Sequence, residues 1–229
     1  MLKFGTVSSS LDLESHGRRA GTFDLVHSDN RHAFSSIQSP LSVIRGGDGP
    51  TALICAGNHG DEYEGQIIVR RLFEELDVSD VVGRLILAPA LNMPAVLNRS
   101  RVSPLDGGNL NRSFPGEAFS GPTNDIAGFL RTQLMPQADV AIDLHSGGSA
   151  TDYLDCAYFC ISPHKARNRQ TQELAMVMGL ANTFVVPLSD TTGDFDTAAL
   201  EAGCAMLSCE LGGGGKFHDE RWMLAGKEC

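Results

Sequence analysis

Residues 57–64 read GNHGDEYE, which sets an imidazole and a carboxylate three apart, His59 and Glu62, directly after the apolar run TALICA. Two further groups able to do chemistry end other apolar runs: His145 closes VAIDLH and Glu210 closes AMLSCE. A single histidine at a strand end is ordinarily a hydrogen-bonded structural residue. Two histidines and two glutamates at equivalent ends are another matter, because open α/β sheets bind ligands at the carboxyl ends of their strands. A catalytic zinc takes three protein ligands from His and carboxylate and keeps a fourth position for water. His59, Glu62 and His145 supply that set, with Gly57 and Gly60 allowing a tight turn. Asp143 stands two residues before His145, hence on the same strand face, where it could orient a ligand imidazole or be an unrelated buried carboxylate. Glu210 is the candidate general base, able to take a proton from water and pass it to a leaving amine.

The segment RVSPLDGGNLNRSFPG adds Arg101 and Arg112 beside Asn109 and Asn111. A guanidinium suits a substrate carboxylate through a bidentate contact, and a second suits the oxyanion of a tetrahedral intermediate. This segment belongs to a long Gly-, Pro-, Asn- and Arg-rich loop over residues 98–122, a length that usually signals function.

The elements that must position these groups follow from the apolar pattern. Strands are predicted over LSVIRG, TALICAG, GRLILAPAL, ADVAIDLHS, CAYFCIS, TFVVP and CAMLSCEL. Helices are predicted over 62–76, over TNDIAGFLRTQL capped by Thr123 or Asn124, over RNRQTQELAMVMGLA, and over FDTAALEAG ending at Gly203. Strands apolar on both faces and followed by helices give an α/β fold, a mixed, largely parallel sheet covered by helices. A small β-rich lead-in over 1–40 precedes a domain over 41–215, and a divergent tail occupies 216–229.

Charge narrows the function classes. Acidic residues outnumber basic ones 28 to 18, a net charge of −10, which argues against nucleic acid and membrane surfaces as partners. No apolar run reaches membrane-spanning length, and the N-terminus reads as having no signal peptide. Cys55, Cys156, Cys160, Cys204, Cys209 and Cys229 fall mostly within apolar runs and read as buried free thiols of a reducing, cytoplasmic compartment. A nucleotide-binding loop is disfavoured, since no GxGxxG follows the first strand and an acidic His-Glu turn repels phosphate.

GNHGDEYEG, GGNLNRSFPG, DLHSGG and CELGGGG, in this order, resemble the succinylglutamate desuccinylase/aspartoacylase family of zinc-carboxypeptidase-like deacylases. The strongest likeness is to its Nα-acetyl-L-2,4-diaminobutyrate deacetylase branch of ectoine degradation, and it covers about residues 20–215. The resemblance implies a zinc-carboxypeptidase-like fold and one Zn2+ per chain on His59, Glu62 and His145. It implies Glu210 as the catalytic glutamate and Asn111 with Arg112 as the substrate-carboxylate pair. It implies Arg101 as the group that polarises the scissile carbonyl, with Arg99 a rival. The implied reaction removes an acyl group, acetyl by the branch likeness, from a small anionic N-acyl amino acid. A zinc carboxypeptidase acting on short peptides and an inactive, truncated metal-binding chain are the alternatives; homo-oligomerisation is left open. Many relatives have Asp where Asn109 stands, and family members continue well past the ELGGGG motif, so the chain reads as C-terminally truncated.

Overall fold

The computed structural model describes residues 1–28, 36–187 and 193–217. The amino-terminal lead-in forms β1 (Leu2–Phe4), β2 (Val7–Ser9) and β3 (Gly17–Val26), and β4 (Ser36–Arg45) crosses residue 40 without a break. Next come β5 (Thr51–Ala56), α1 (Tyr63–Glu75), β6 (Arg84–Ala88), α2 (Met93–Asn98) and α3 (Pro122–Phe129). The chain continues through β7 (Val140–His145), β8 (Cys156–Ile161), α4 (Lys165–Val177), β9 (Asn182–Pro187), α5 (Phe195–Ala202) and β10 (Ala205–Glu210).

The ten strands of the described residues join one sheet in the order β1-β2-β3-β4-β6-β5-β7-β10-β8-β9. Its centre, β6-β5-β7-β10, is parallel, and so is the β8–β9 pair. The lead-in strands, the β4–β6 junction and the β10–β8 junction are antiparallel. Parallel strands need crossover helices on the faces, which is why the central strands are apolar on both sides. One apolar layer puts Ile68 and Val69 of α1 and Ala175 of α4 against Ile142, Leu144 and Leu207. The other puts Ile126 and Phe129 of α3 and Phe195 and Ala199 of α5 against Leu53, Ile86 and Met206. Phe129 stacks on Phe23 of β3 with ring centroids 5.3 Å apart, tying the lead-in to the opposite layer.

The structure moves the helix predicted over RNRQTQELAMVMGLA to Lys165–Val177 and corrects the predicted start of α3. Neither Thr123 nor Asn124 caps α3: Gly121 is the N-cap and Pro122 takes the first turn, where its missing N–H costs nothing. Thr123 lies inside the helix and donates its hydroxyl to Asp106 at 2.7 Å. The segment predicted as one helix also changes pitch, becoming a π-turn over Leu130–Leu134 and a 3₁₀ turn over Met135–Gln137. Helix α5 ends as expected, with Gly203 in the left-handed region at φ 107. Cys55, Cys156, Cys204 and Cys209 are buried and Cys160 half-buried, all as free thiols. Cys229 and the tail from residue 218 lie outside the described residues.

Candidate metal and substrate site

The parallel centre sets the site. Strands β5, β7 and β10 run side by side in register, Ala56 beside Leu144 and His145 beside Glu210, so the residues at and just beyond their carboxyl ends meet at one edge. After β5 the chain turns at Gly57, whose φ of 70 requires glycine. A Cβ on Gly60 would lie 2.1 Å from the Ala95 backbone of α2, so glycine there permits close packing rather than an unusual φ. Glu62 occupies the N-cap of α1 but makes no capping bond with its side chain. Its carboxylate turns toward the sheet edge instead, where Oε2 lies 2.9 Å from Nδ1 of His145 and accepts the Ser146 backbone N–H at 3.2 Å.

His59, Glu62 and His145, all buried, each offer a ligand atom, and these atoms lie within 4.8 Å of one another. The donor set fits a zinc-type ion on chemical grounds: two imidazoles and a carboxylate, with no fourth protein ligand in the cluster among the described residues. His59 Nδ1 lies 3.0 Å from the Arg101 carbonyl oxygen, leaving its other ring nitrogen for a ligand role. Burial lowers its pKa, so it is held as the neutral imidazole a metal needs. His145 is the opposite case. Burial disfavours its charge, but Asp143 and Glu62 outweigh burial and raise its pKa well above the ordinary value. Two carboxylates thus flank the His145 ring and favour positive charge there, with Nε2 2.8 Å from Asp143 Oδ2 and Nδ1 2.9 Å from Glu62 Oε2. Asp143 is held in turn by the Asn58 amide at 3.0 Å.

These groups open into a cavity of ≈ 290 Å³. Glu210, Arg101, Asn111 and Arg112 also line it, so one space collects the sequence-predicted site residues, with Asp143 behind His145. Arg101, 57% exposed, reaches Glu62 Oε1 at 3.3 Å. Arg99 caps α2 in the left-handed region and does not line this space, so Arg101 and not its rival faces the cluster. Asn111 accepts the Phe195 N–H through Oδ1 at 2.8 Å, so its amide N–H2 is the part left for a ligand. Asn109 caps the 3₁₀ turn over Leu110–Arg112, which is how the long loop presents Asn111 and Arg112 together. Burial pushes the Glu210 carboxyl up to about 7, opposed by His145, and its Oε2 is buried without a hydrogen-bond partner among the described residues.

Sequence reasoning missed Asp61, Ser146, Thr151, Tyr153 and Tyr158, which complete the wall. Asp61 clamps the loop after β7 by accepting from the Ser149 backbone N–H and hydroxyl at 3.2 and 3.0 Å. Tyr158 alone carried a usable signal, as the one phenol in the apolar run CAYFCIS, in a strand that pairs with the strand of Glu210.

Comparison with known proteins identifies the family. Residues 48–224 match the succinylglutamate desuccinylase/aspartoacylase catalytic domain. The chain is 39% identical over 209 residues to an N-alpha-acetyl-L-2,4-diaminobutyric acid deacetylase of Halomonas elongata, aligning 91% of itself with 61% of that protein's length. A succinylglutamate desuccinylase structure from a Silicibacter species is 36% identical, with TM-score 0.91 over 97% of this chain and 68% of that one. The product-bound ectoine utilization protein EutE (DoeB) of Ruegeria pomeroyi is 38% identical, with TM-score 0.90 over 96% and 67%.

Proposed function

The chain belongs to the succinylglutamate desuccinylase/aspartoacylase family, and on that premise we propose that it is a zinc-dependent amidohydrolase. Its substrate is a small N-acyl amino acid, and the name of the Halomonas relative points to N-acetyl-2,4-diaminobutyrate or a near analogue. The observation that carries this reading is the cluster of His59, Glu62 and His145 opening into the same cavity as Glu210, Arg101 and Arg112. His59, Glu62 and His145 would hold the ion, which when bound supplies Lewis-acid polarisation of an amide carbonyl and acidifies water.

The chain's own groups account for the rest of the work. Glu210 has a raised pKa and an unpartnered oxygen, the properties of a carboxyl that picks up a proton from water and delivers it to a departing amine. Arg101 offers a cation to the carbonyl oxygen as negative charge builds there. Arg112 and the Asn111 amide hold the substrate carboxylate. Asp143 fixes the His145 ring through Nε2, leaving Nδ1 for the ion. One water is consumed, and acetate and a free amine leave. The free thiols fit a cytoplasmic enzyme, and no helix among the described residues is long and apolar enough to cross a membrane.

Glu210→Gln separates the proton carrier from the ligands. The variant is expected to keep its zinc and lose turnover by about 10²-fold or more, the usual contribution of a positioned base. Metal content and acetate release are read on the same sample. Loss of zinc together with rate would make Glu210 a ligand; retention of both would leave the reaction without its base.

A further inference from the structure

We infer that Asp61 is a positioning residue: its carboxylate latches the turn that carries His59 and Glu62 to the loop over residues 146–155, and so sets the spacing of the cavity walls. The inference rests on the amidohydrolase reading and adds what holds its groups in register. Asp61 stands between His59 and Glu62 in the chain. Its Oδ2 accepts both the Ser149 backbone N–H and the Ser149 hydroxyl, at 3.2 and 3.0 Å. Gly148 leaves room for that approach: its φ is 62, and a Cβ there would lie 2.7 Å from Asp61 Oδ2. Glu62 also binds the base of this loop, through the Ser146 N–H at 3.2 Å, but with a carboxylate proposed for the ion. Asp61 makes its attachment without using a ligand oxygen.

The loop needs such a latch. Residues 149–154 are all exposed, so burial of side chains does little to hold them. Backbone bonds tie the loop to the GGGG segment instead. Gly147 and Tyr153 donate to the Gly212 carbonyl at 2.7 and 2.9 Å, while Gly214 donates to Thr151 and Gly215 to Gly148, each at 2.9 Å. A Cβ on Gly147 or Gly213 would lie 2.0 or 2.1 Å from the Thr151 backbone oxygen, so the two glycine runs form one closely packed layer. Gly212 stands two residues beyond Glu210, which places that layer beside the proposed proton carrier. Thr151 and Tyr153 line the cavity from the loop, opposite the turn of His59 and Glu62. The latch between the two sides asks only for an acceptor, because both Ser149 groups are donors. An amide oxygen could therefore serve in place of the carboxylate.

The test combines turnover, zinc content and amide hydrogen exchange in the zinc-loaded full chain. Asp61→Ala is expected to keep its zinc, since His59 and His145 have their own bonds to Arg101 and Asp143. It should lower kcat/KM for an N-acetyl amino acid by about tenfold or more, and speed exchange over residues 146–155 and 211–215 but not in α3. Asp61→Asn should restore most of both, because its oxygen can accept the same two bonds. Ser149→Ala, which removes only the hydroxyl bond, should fall between the wild type and Asp61→Ala. An Asp61→Asn variant as slow as Asp61→Ala would make the charge, and not the latch, the source of the effect. Unchanged exchange in Asp61→Ala, or loss of its zinc, would equally overturn the assignment. Exchange that follows the expected order in a chain whose wild type hydrolyses no N-acyl amino acid would leave the latch standing and overturn the amidohydrolase reading.

Discussion

Asp196 shows at the scale of one residue how the site is set against stability. It is buried on α5 with a hydroxyl as its partner, and burial pushes its carboxyl from the ordinary 3.8 up to about 7, partly offset by the Ser208 bond. Between those two values the folded chain binds more protons here than the unfolded chain. Its contribution to stability is therefore greatest at low pH and falls as pH rises through that window. Asp196→Asn removes the titration. In chelator-treated protein, the Tm of the variant minus that of the wild type is expected to grow from about pH 4 to about pH 8. A difference that stays flat or shrinks across that range would show that Asp196 is not held against its charge.

At the scale of the element, glycine in α1 inverts an ordinary rule. Gly→Ala inside a helix usually stabilises, by roughly 0.5–1 kcal/mol. A Cβ on Gly65, however, would meet the Leu144 backbone oxygen and Cβ at 2.6 Å. Helix α1 lies that close to β7 because Glu62, at its N-cap, must reach His145 at the end of β7. Gly65→Ala is expected to destabilise by about 1–3 kcal/mol through overpacking, and to weaken zinc binding with it. Urea denaturation checks the first effect and metal titration the second; a more stable variant would mean that α1 has room to move. The strands and the chemical groups at their ends are legible in the sequence because apolar runs bounded by Gly and Pro are local signals, as TALICAG and VAIDLH illustrate. The α3 cap is not, because Gly121 and Pro122 outrank Thr123 only once the bond from Thr123 to Asp106 of the long loop is seen.

At the scale of the whole molecule, the described sheet ends at β9, where Phe184 and Val185 point to opposite faces and are 51% and 49% exposed. Exposed apolar edge strands are templates for pairing between chains, and a lysine is a common natural protection. The net charge of −10 opposes association only at long range and less so in salt. Val185→Lys is therefore expected to lower concentration-dependent light scattering in moderate salt while leaving zinc content unchanged. Scattering that does not respond would place the contact elsewhere. The chain spans 61% of the length of the Halomonas deacetylase it matches, and the residues proposed for metal and proton transfer all fall within residues 48–224, which match the family's catalytic domain.

The central claim is that His59, Glu62 and His145 hold the ion on which hydrolysis depends. The most direct measurement is zinc content and acetate release from Nα-acetyl-2,4-diaminobutyrate on one preparation, stripped by chelator and then reloaded stepwise, beside His145→Ala treated in the same way. Activity is expected to vanish on stripping and return in proportion to zinc up to one ion per chain, with the variant failing to retain the ion after exchange into metal-free buffer. Hydrolysis that persists without zinc, or one ion per chain retained by His145→Ala at unchanged affinity, would contradict the claim.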